Sequence, residues 1–267
     1  MNNESFNKLT KGFETAYIDG NIVSESAYLP QFVSNNHLEG KKVLSSLEDE
    51  LSKCDKFQIS VAFITESGLV PLKQILKELE NRNIPGQILT TDYLTFSEPK
   101  ALKEIHELKN ITLKMYNSEK GGGFHTKGYI FKKEEIYRII IGSSNLTGSA
   151  LTTNFEWNTK LVSTEHGKVA QEIIDEFNHL WNSEYAVDFE QFYDEYLEKY
   201  KIIKRQREIA KQEETISLEK YKLQPNSMQV GFITNLKKII NSGENRALLI
   251  SATGDGGIIV TSQAKTA

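Results

Sequence analysis

His125 and Lys127 are separated by one residue, Asn145 follows the histidine by 20 positions at the end of Gly142-Ser143-Ser144-Asn145, and Glu156 lies 11 positions further on. Each residue type has a use in phosphodiester chemistry. An imidazole attacks phosphorus directly, forming a phosphohistidine, when its other ring nitrogen is held by an acceptor that fixes the tautomer. Glu156 is the candidate acceptor. Lys127 and Asn145 offer a positive charge and an N–H donor to the non-bridging oxygens, where charge gathers in the transition state, a role that Mg²⁺ has elsewhere. Ser143 adds a hydroxyl donor. The leaving alkoxide needs a proton, and a second histidine on the opposite face is the natural general acid. The set suffices to cut a phosphodiester without a metal, so no metal and no other cofactor is expected. Ser143, Ser144, Lys120 and Lys132 are the candidate substrate-binding residues around it.

A histidine one residue from a lysine is weak by itself, and the chain holds a second instance, His166-Gly167-Lys168, at the start of an amphipathic stretch with no coupled GSxN. What distinguishes His125 is the elements around it. Apolar alternation predicts a strand over 56–64, and helical spacing of Leu69, Leu72, Ile75, Leu76 and Leu79 predicts a helix over 67–81. A strand over 86–91, a helix over 99–108 and a strand over 111–116 continue a βαβαβ order, which points to a parallel sheet covered by helices. After Gly121-Gly122-Gly123 come strands over 128–131 and 137–142, so that His125-x-Lys127 and the GSSN stretch fall at the open end of a hairpin-like pair. A strand over 155–162 and a helix over 166–181 close the domain. The expected class is α/β, a mixed and largely parallel sheet flanked by helices, then a charged helical linker and a short αβ remnant. The expected divisions are a lead-in at 1–26, the catalytic domain at 27–188, the linker at 189–222 and a last segment at 223–267.

His125-Thr126-Lys127 with Gly142-Ser143-Ser144-Asn145 resembles the phospholipase D superfamily over about 27–181. The spacing to Asn145 and Glu156 is most similar to its metal-independent restriction endonucleases, and to the nuclease-type domain that precedes some bacterial superfamily 2 helicases. The superfamily pattern has an aspartate that would fall at position 132, where this chain has Lys132. The endonuclease branch also lacks that aspartate and uses a downstream glutamate, which maps to Glu156. Members with one motif pair two chains, so the resemblance implies a homodimer with His125 of one subunit as nucleophile and that of the other as general acid. Residues 223–257 resemble the opening of a superfamily 2 helicase, through Gln224 and Gln229, a helix over 230–240, a strand over 247–250 and the turn Ser251-Ala252-Thr253-Gly254-Asp255-Gly256-Gly257. A working phosphate loop would continue with Gly-Lys-Ser/Thr, whereas Gly257-Ile258 follows here, so no ATPase activity is expected of this chain, and a helicase domain is expected in a longer parent protein.

Composition narrows the alternatives. The formal net charge of −4 argues against coating nucleic acid by bulk electrostatics, and leaves room for a local groove of Lys120, Lys127, Lys132 and Lys133. The apolar runs are too short to span a membrane, and Met1-Asn2-Asn3-Glu4 opens no signal sequence, so a cytoplasmic protein is expected. Cys54, the single cysteine, excludes an internal disulfide. His37, His106 and His179 read as surface or packing residues, and Trp157 and Trp181 as core. The leading reading is a DNA endonuclease module, DNA rather than RNA on grounds of the resemblance. A degenerate nucleic-acid-binding module that positions a helicase would not need His125, and a lipid phosphodiesterase would be expected to show a membrane-binding helix.

Overall fold

The computed structural model describes residues 2–36, 38–214, 234–239 and 241–243. His37, the strand expected at 247–250 and the glycine-rich turn at 251–257 lie outside them. Contacts divide the chain into two units, 1–207 and 208–267. In the second, the described residues are the end of a long helix and a helical segment at 234–239.

The first unit is built on one eight-stranded sheet: β1 (Gln31–Val33), β2 (Lys56–Val61), β3 (Gly86–Thr91), β4 (Ile111–Tyr116), β5 (Lys127–Lys133), β6 (Ile136–Gly142), β7 (Asn158–Thr164) and β8 (Ala186–Asp188). Their order across the sheet is β1-β7-β6-β5-β2-β3-β4-β8. Only β2–β3 and β3–β4 pair in parallel; all the other pairings are antiparallel. The sheet is mixed, as expected, but its parallel part stops at three strands: the helical connections from β2 to β3 and from β3 to β4 return the chain to the same end of the sheet beside the strand just left, whereas β5, β6 and β7 follow one another as antiparallel neighbours. A turn joins β5 to β6, and a tight turn forces antiparallel pairing.

The helices are α1 (Asn3–Tyr17), α2 (Val43–Lys53), α3 (Glu66–Leu69), α4 (Lys73–Asn81), α5 (Pro99–His106), α6 (Ser118–Gly121), α7 (Gly148–Thr152), α8 (Lys168–Trp181) and α9 (Phe189–Glu214). Successive strand residues face opposite sides, so one sheet serves two cores. Ile88, Tyr129, Phe131 and Ile140 pack with Leu47 and Leu51 of α2, Leu76 and Leu79 of α4 and Leu102 of α5. Their neighbours Leu89, Ile130 and Ile139 pack with Phe177 and Trp181 of α8. Val43, Leu47 and Leu51 recur at helical spacing and are fully buried, each stabilising the fold by about 1.5–3 kcal/mol. The linker expected from 189 begins inside this unit: Phe189 and Tyr196 of α9 belong to the first core, and the Tyr196 hydroxyl donates to the Ser97 carbonyl at 2.8 Å. Among the described residues no helix is long and apolar enough to cross a membrane. Cys54 is buried, and its thiol is pushed up to about 11 by burial.

Candidate active site

One rim of the sheet collects the candidate residues. Lys127 opens β5 opposite Val61 at the end of β2, Gly128 pairs with Ile141, Gly142 ends β6 opposite Asn158 at the start of β7, and Val33 ends β1 opposite the same Asn158. The carboxyl ends of the parallel strands lie on this rim, the place where open α/β sheets bind ligands. Gly142 is required there. A Cβ on it would come within 2.2 Å of the Trp157 carbonyl oxygen and 2.5 Å of the Asn158 Cα, so only glycine lets β6 and β7 approach at the entrance to the GSSN stretch.

Beyond Gly142 the chain alternates. Ser143 is exposed, whereas Ser144 is fully buried, donating through its N–H to Asn158 Oδ1 at 3.3 Å and accepting from Asn158 Nδ2 at 2.9 Å. The Ser144 carbonyl accepts from the Tyr129 hydroxyl at 3.0 Å, and burial holds that phenol far above its ordinary value. Asn145, half-buried, accepts through Oδ1 from the Phe63 N–H at 3.1 Å. The next residue, Leu146, exchanges backbone bonds with Phe63 and Thr65 at 3.1 Å each. The GSSN stretch thus crosses the end of β5 and is sewn to the segment after β2. With Oδ1 committed to Phe63, the Asn145 side chain has its N–H₂ left to donate.

His125 is exposed, and Phe63 sits edge-on to its ring with centroids 6.1 Å apart. Lys127 Nζ lies 2.8 Å from His125 Nδ1 and donates to the His125 carbonyl at 2.9 Å. An ammonium only donates, so Nδ1 accepts here and the neutral ring carries its proton on Nε2. Partial burial, and secondarily the Lys127 charge, hold the imidazole below its usual value. Burial likewise lowers the Lys127 ammonium, while the Glu156 carboxylate pulls it back up. Glu156 is buried, and its carboxylate accepts from the Ser143 hydroxyl, which in turn accepts from the Trp157 N–H at 3.1 Å.

Four expectations need correction. Glu156 holds Ser143, not the His125 ring. Ser144 is a packing residue, because alternation along an extended chain turns it inward. Lys132 sits at the opposite end of β5, five residues from Lys127 and therefore about 17 Å away; it faces Glu165 at 3.6 Å and the Tyr137 ring at 5.3 Å. Trp157 is not in the core but 76% exposed, with its ring edge-on to Phe32 at 5.8 Å. Lys120 is exposed on α6, ahead of the glycine turn. His106 stacks on Phe189 at 3.9 Å and His166 lies 3.9 Å from Glu165, so neither faces His125. Among the described residues no group of three or more His, Cys, Asp or Glu is placed to hold a metal ion.

The stretch of chain that holds these residues matches a known family. The family described as "Cardiolipin synthase, PLD-like domain" matches residues 47–181, just over half of the chain and all four of His125, Lys127, Asn145 and Glu156. No curated protein matches the chain. Among solved structures, NucT from Helicobacter pylori aligns with a TM-score of 0.47 at 16% identity, over 60% of this chain and 98% of its own. Nuc, a phospholipase D family member from Salmonella typhimurium, aligns at 0.45 and 17%, over 60% and 97%. Phosphatidylserine synthase of Haemophilus influenzae Rd KW20 aligns at 0.45 and 12%, over 68% and 46%.

Proposed function

The chain belongs to the phospholipase D-like domain family, and on that premise we propose that it is a metal-independent phosphodiesterase that cuts DNA through a phosphohistidine on His125. The observation that carries the reading is the convergence of His125 with Lys127, Asn145 and Glu156, from three separate stretches of chain, on one sheet rim. Binding alone requires no imidazole there.

In the reaction, a phosphodiester displaces Lys127 Nζ from the imidazole, and the ammonium moves to a non-bridging oxygen. Nδ1 then takes the ring proton and Nε2 attacks phosphorus. The bond to the leaving oxygen breaks with its electron pair, and the alkoxide takes a proton from His125 of a second copy. Water then attacks the phosphohistidine, gives its proton to that same imidazole and releases His125. Asn145 donates to the oxygens throughout, and the Ser143–Glu156 pair fixes the chain beside them. The homodimer is supported by the exposure of His125 and by His106 and His166 both facing elsewhere. The likeness of 223–257 to a helicase opening supports placing this module ahead of a helicase in a longer restriction or defence protein.

Plasmid and single-stranded DNA incubated with the protein in EDTA, beside His125→Ala, test the reading. Cleavage that survives chelation and disappears in the variant is expected. Metal-dependent cleavage, or cleavage indifferent to the substitution, contradicts it. Sedimentation should give a dimer, and an active monomer would defeat the shared site.

A further inference from the structure

The rim that holds the candidate site also carries aromatic rings on both sides of it, Phe63 half-buried and the others exposed. In sheet order, Phe32 lies on β1, Trp157 precedes β7, Asn145 follows β6, His125 precedes β5, Phe63 follows β2 and Phe96 follows β3. Phe32 is 64% exposed and Phe96 43%. Phe155 and Trp157 bracket the buried Glu156 and are more exposed still. On one side of His125 the rings are braced as an edge-on pair, Phe63 with Phe96 at 5.1 Å, with the Arg207 guanidinium 4.2 Å above Phe96. On the other side Phe32 and Trp157 form a second edge-on pair. Neighbouring strands are about 4.8 Å apart, so the Phe63–Phe96 pair stands about 5–10 Å and the Phe32–Trp157 pair about 10–14 Å from the strand that carries His125.

Charge accompanies the rings. A cleft of about 910 Å³ runs beneath β1, with residues 31–34 in its wall, and is lined by six cationic side chains against two carboxylates. Lys42 lines the cleft without an ion-pair partner among the described residues; Lys133, which has none either, lies at the opposite end of β5 from Lys127 and so at the part of the cleft away from His125. In a chain of net charge −4 this is a local concentration of the sign that attracts phosphates.

We propose that this rim is a binding strip for an unpaired strand of nucleic acid, with bases stacked on the Phe63–Phe96 and Phe32–Trp157 pairs and the scissile phosphate between them at His125. Exposed rings are sequence-tolerant platforms for bases whose faces are free, and the bases of a duplex are already stacked on one another. The inference rests on the nuclease reading and sharpens it to single-stranded or locally opened substrate.

The test uses the full chain carrying His125→Ala, in EDTA, titrated with an oligothymidylate of about 12 residues, within the footprint range of single-strand binding folds, and with a blunt duplex of equal length. The chain has two tryptophans, and Trp181 is buried against Phe177, so a change in emission reports Trp157. The single strand should quench emission and the duplex should not. Trp157→Phe should abolish the quench while keeping affinity within about twofold, and Trp157→Ala and Phe32→Ala should each weaken single-strand binding about tenfold with the duplex barely affected. Unchanged affinity in both alanine variants, or equal losses for single strand and duplex, would overturn the strip. So would a dimer that falls to monomers on Trp157→Ala, which would make the rings a subunit contact. If the parent protein cleaves DNA but the alanine variants bind normally, the strip fails and the nuclease reading stands. If quench and alanine effects appear but no DNA is cleaved, the reverse holds.

Discussion

Asn145→Asp separates the catalytic from the structural use of one side chain. The Asn145 Oδ1 accepts from the Phe63 N–H at 3.1 Å, and a carboxylate oxygen in the same place accepts equally well. The substitution therefore leaves the seam between the GSSN stretch and the segment after β2 in place, and the unfolding free energy should stay within about 1 kcal/mol of the parent. What changes is the other half of the side chain, where an N–H₂ donor becomes a negatively charged oxygen, which on the proposed route would face the phosphate. Loss of one preorganised donor to a developing oxyanion costs about 2.7–4 kcal/mol, a factor of about 10²–10³ in rate, and repulsion adds to it. Asn145→Ala supplies the contrast: it removes the donor and also leaves the half-buried Phe63 N–H without its acceptor, costing about 1–2 kcal/mol of stability. The assay is kcat/KM on bis(p-nitrophenyl) phosphate with urea unfolding of all three proteins. An Asn145→Asp enzyme that keeps more than about a tenth of the parent kcat/KM would refute the assignment, as would an aspartate variant less stable than the alanine one.

Other consequences are open to measurement. On the proposed route the neutral imidazole attacks, and with its pKa depressed the acid limb of kcat/KM should lie below about pH 6.5. In Lys127→Met the smaller cause disappears while burial remains, so the His125 midpoint followed by NMR should rise toward 6.5 without reaching it; a midpoint unmoved by that change contradicts the account. Glu50, buried on α2, faces Lys160 Nζ at 3.2 Å and Arg138 Nε at 3.7 Å. Glu50→Gln strands two cations and should lower stability by about 3 kcal/mol in urea, and a loss under about 1 kcal/mol would show that water or Arg138 mobility already compensates. Gly142→Ala should push β6 from β7, lowering stability by about 1–3 kcal/mol and activity at least tenfold; a variant with parent activity would mean that the rim tolerates the displacement.

Where periodicity and packing agree, the fold is legible in the sequence. Strands read at 86–91 and 111–116 are β3 and β4 to the residue, because both are bounded by turns and carry apolar residues on fixed faces. The error at β7 is more instructive. Phe155-Glu156-Trp157 alternates like a strand that buries its aromatics, yet the strand starts at Asn158, with the rings exposed and the carboxylate buried. Local pattern fails there because Glu156 is turned inward to accept from the Ser143 hydroxyl, a tertiary contact that alternation does not show. β1, at three residues, is too short to show a period, and Glu50 looks like any polar position on an amphipathic helix until Lys160 is seen against it. Within the candidate site, sequence spacing identifies the cluster of His125, Lys127, Asn145 and Glu156. It cannot say that Glu156 is engaged by Ser143 and not by the imidazole, since that depends on how closely β6 and β7 approach at Gly142.

The stereochemical course at phosphorus tests the two-step route through His125 most directly. A single turnover on an oligonucleotide with one chiral phosphorothioate, in isotopically labelled water, reports whether configuration is kept or inverted. Two in-line displacements, one by the imidazole and one by water, predict retention. Inversion would mean that water attacks the diester directly, and His125 would then not be the nucleophile.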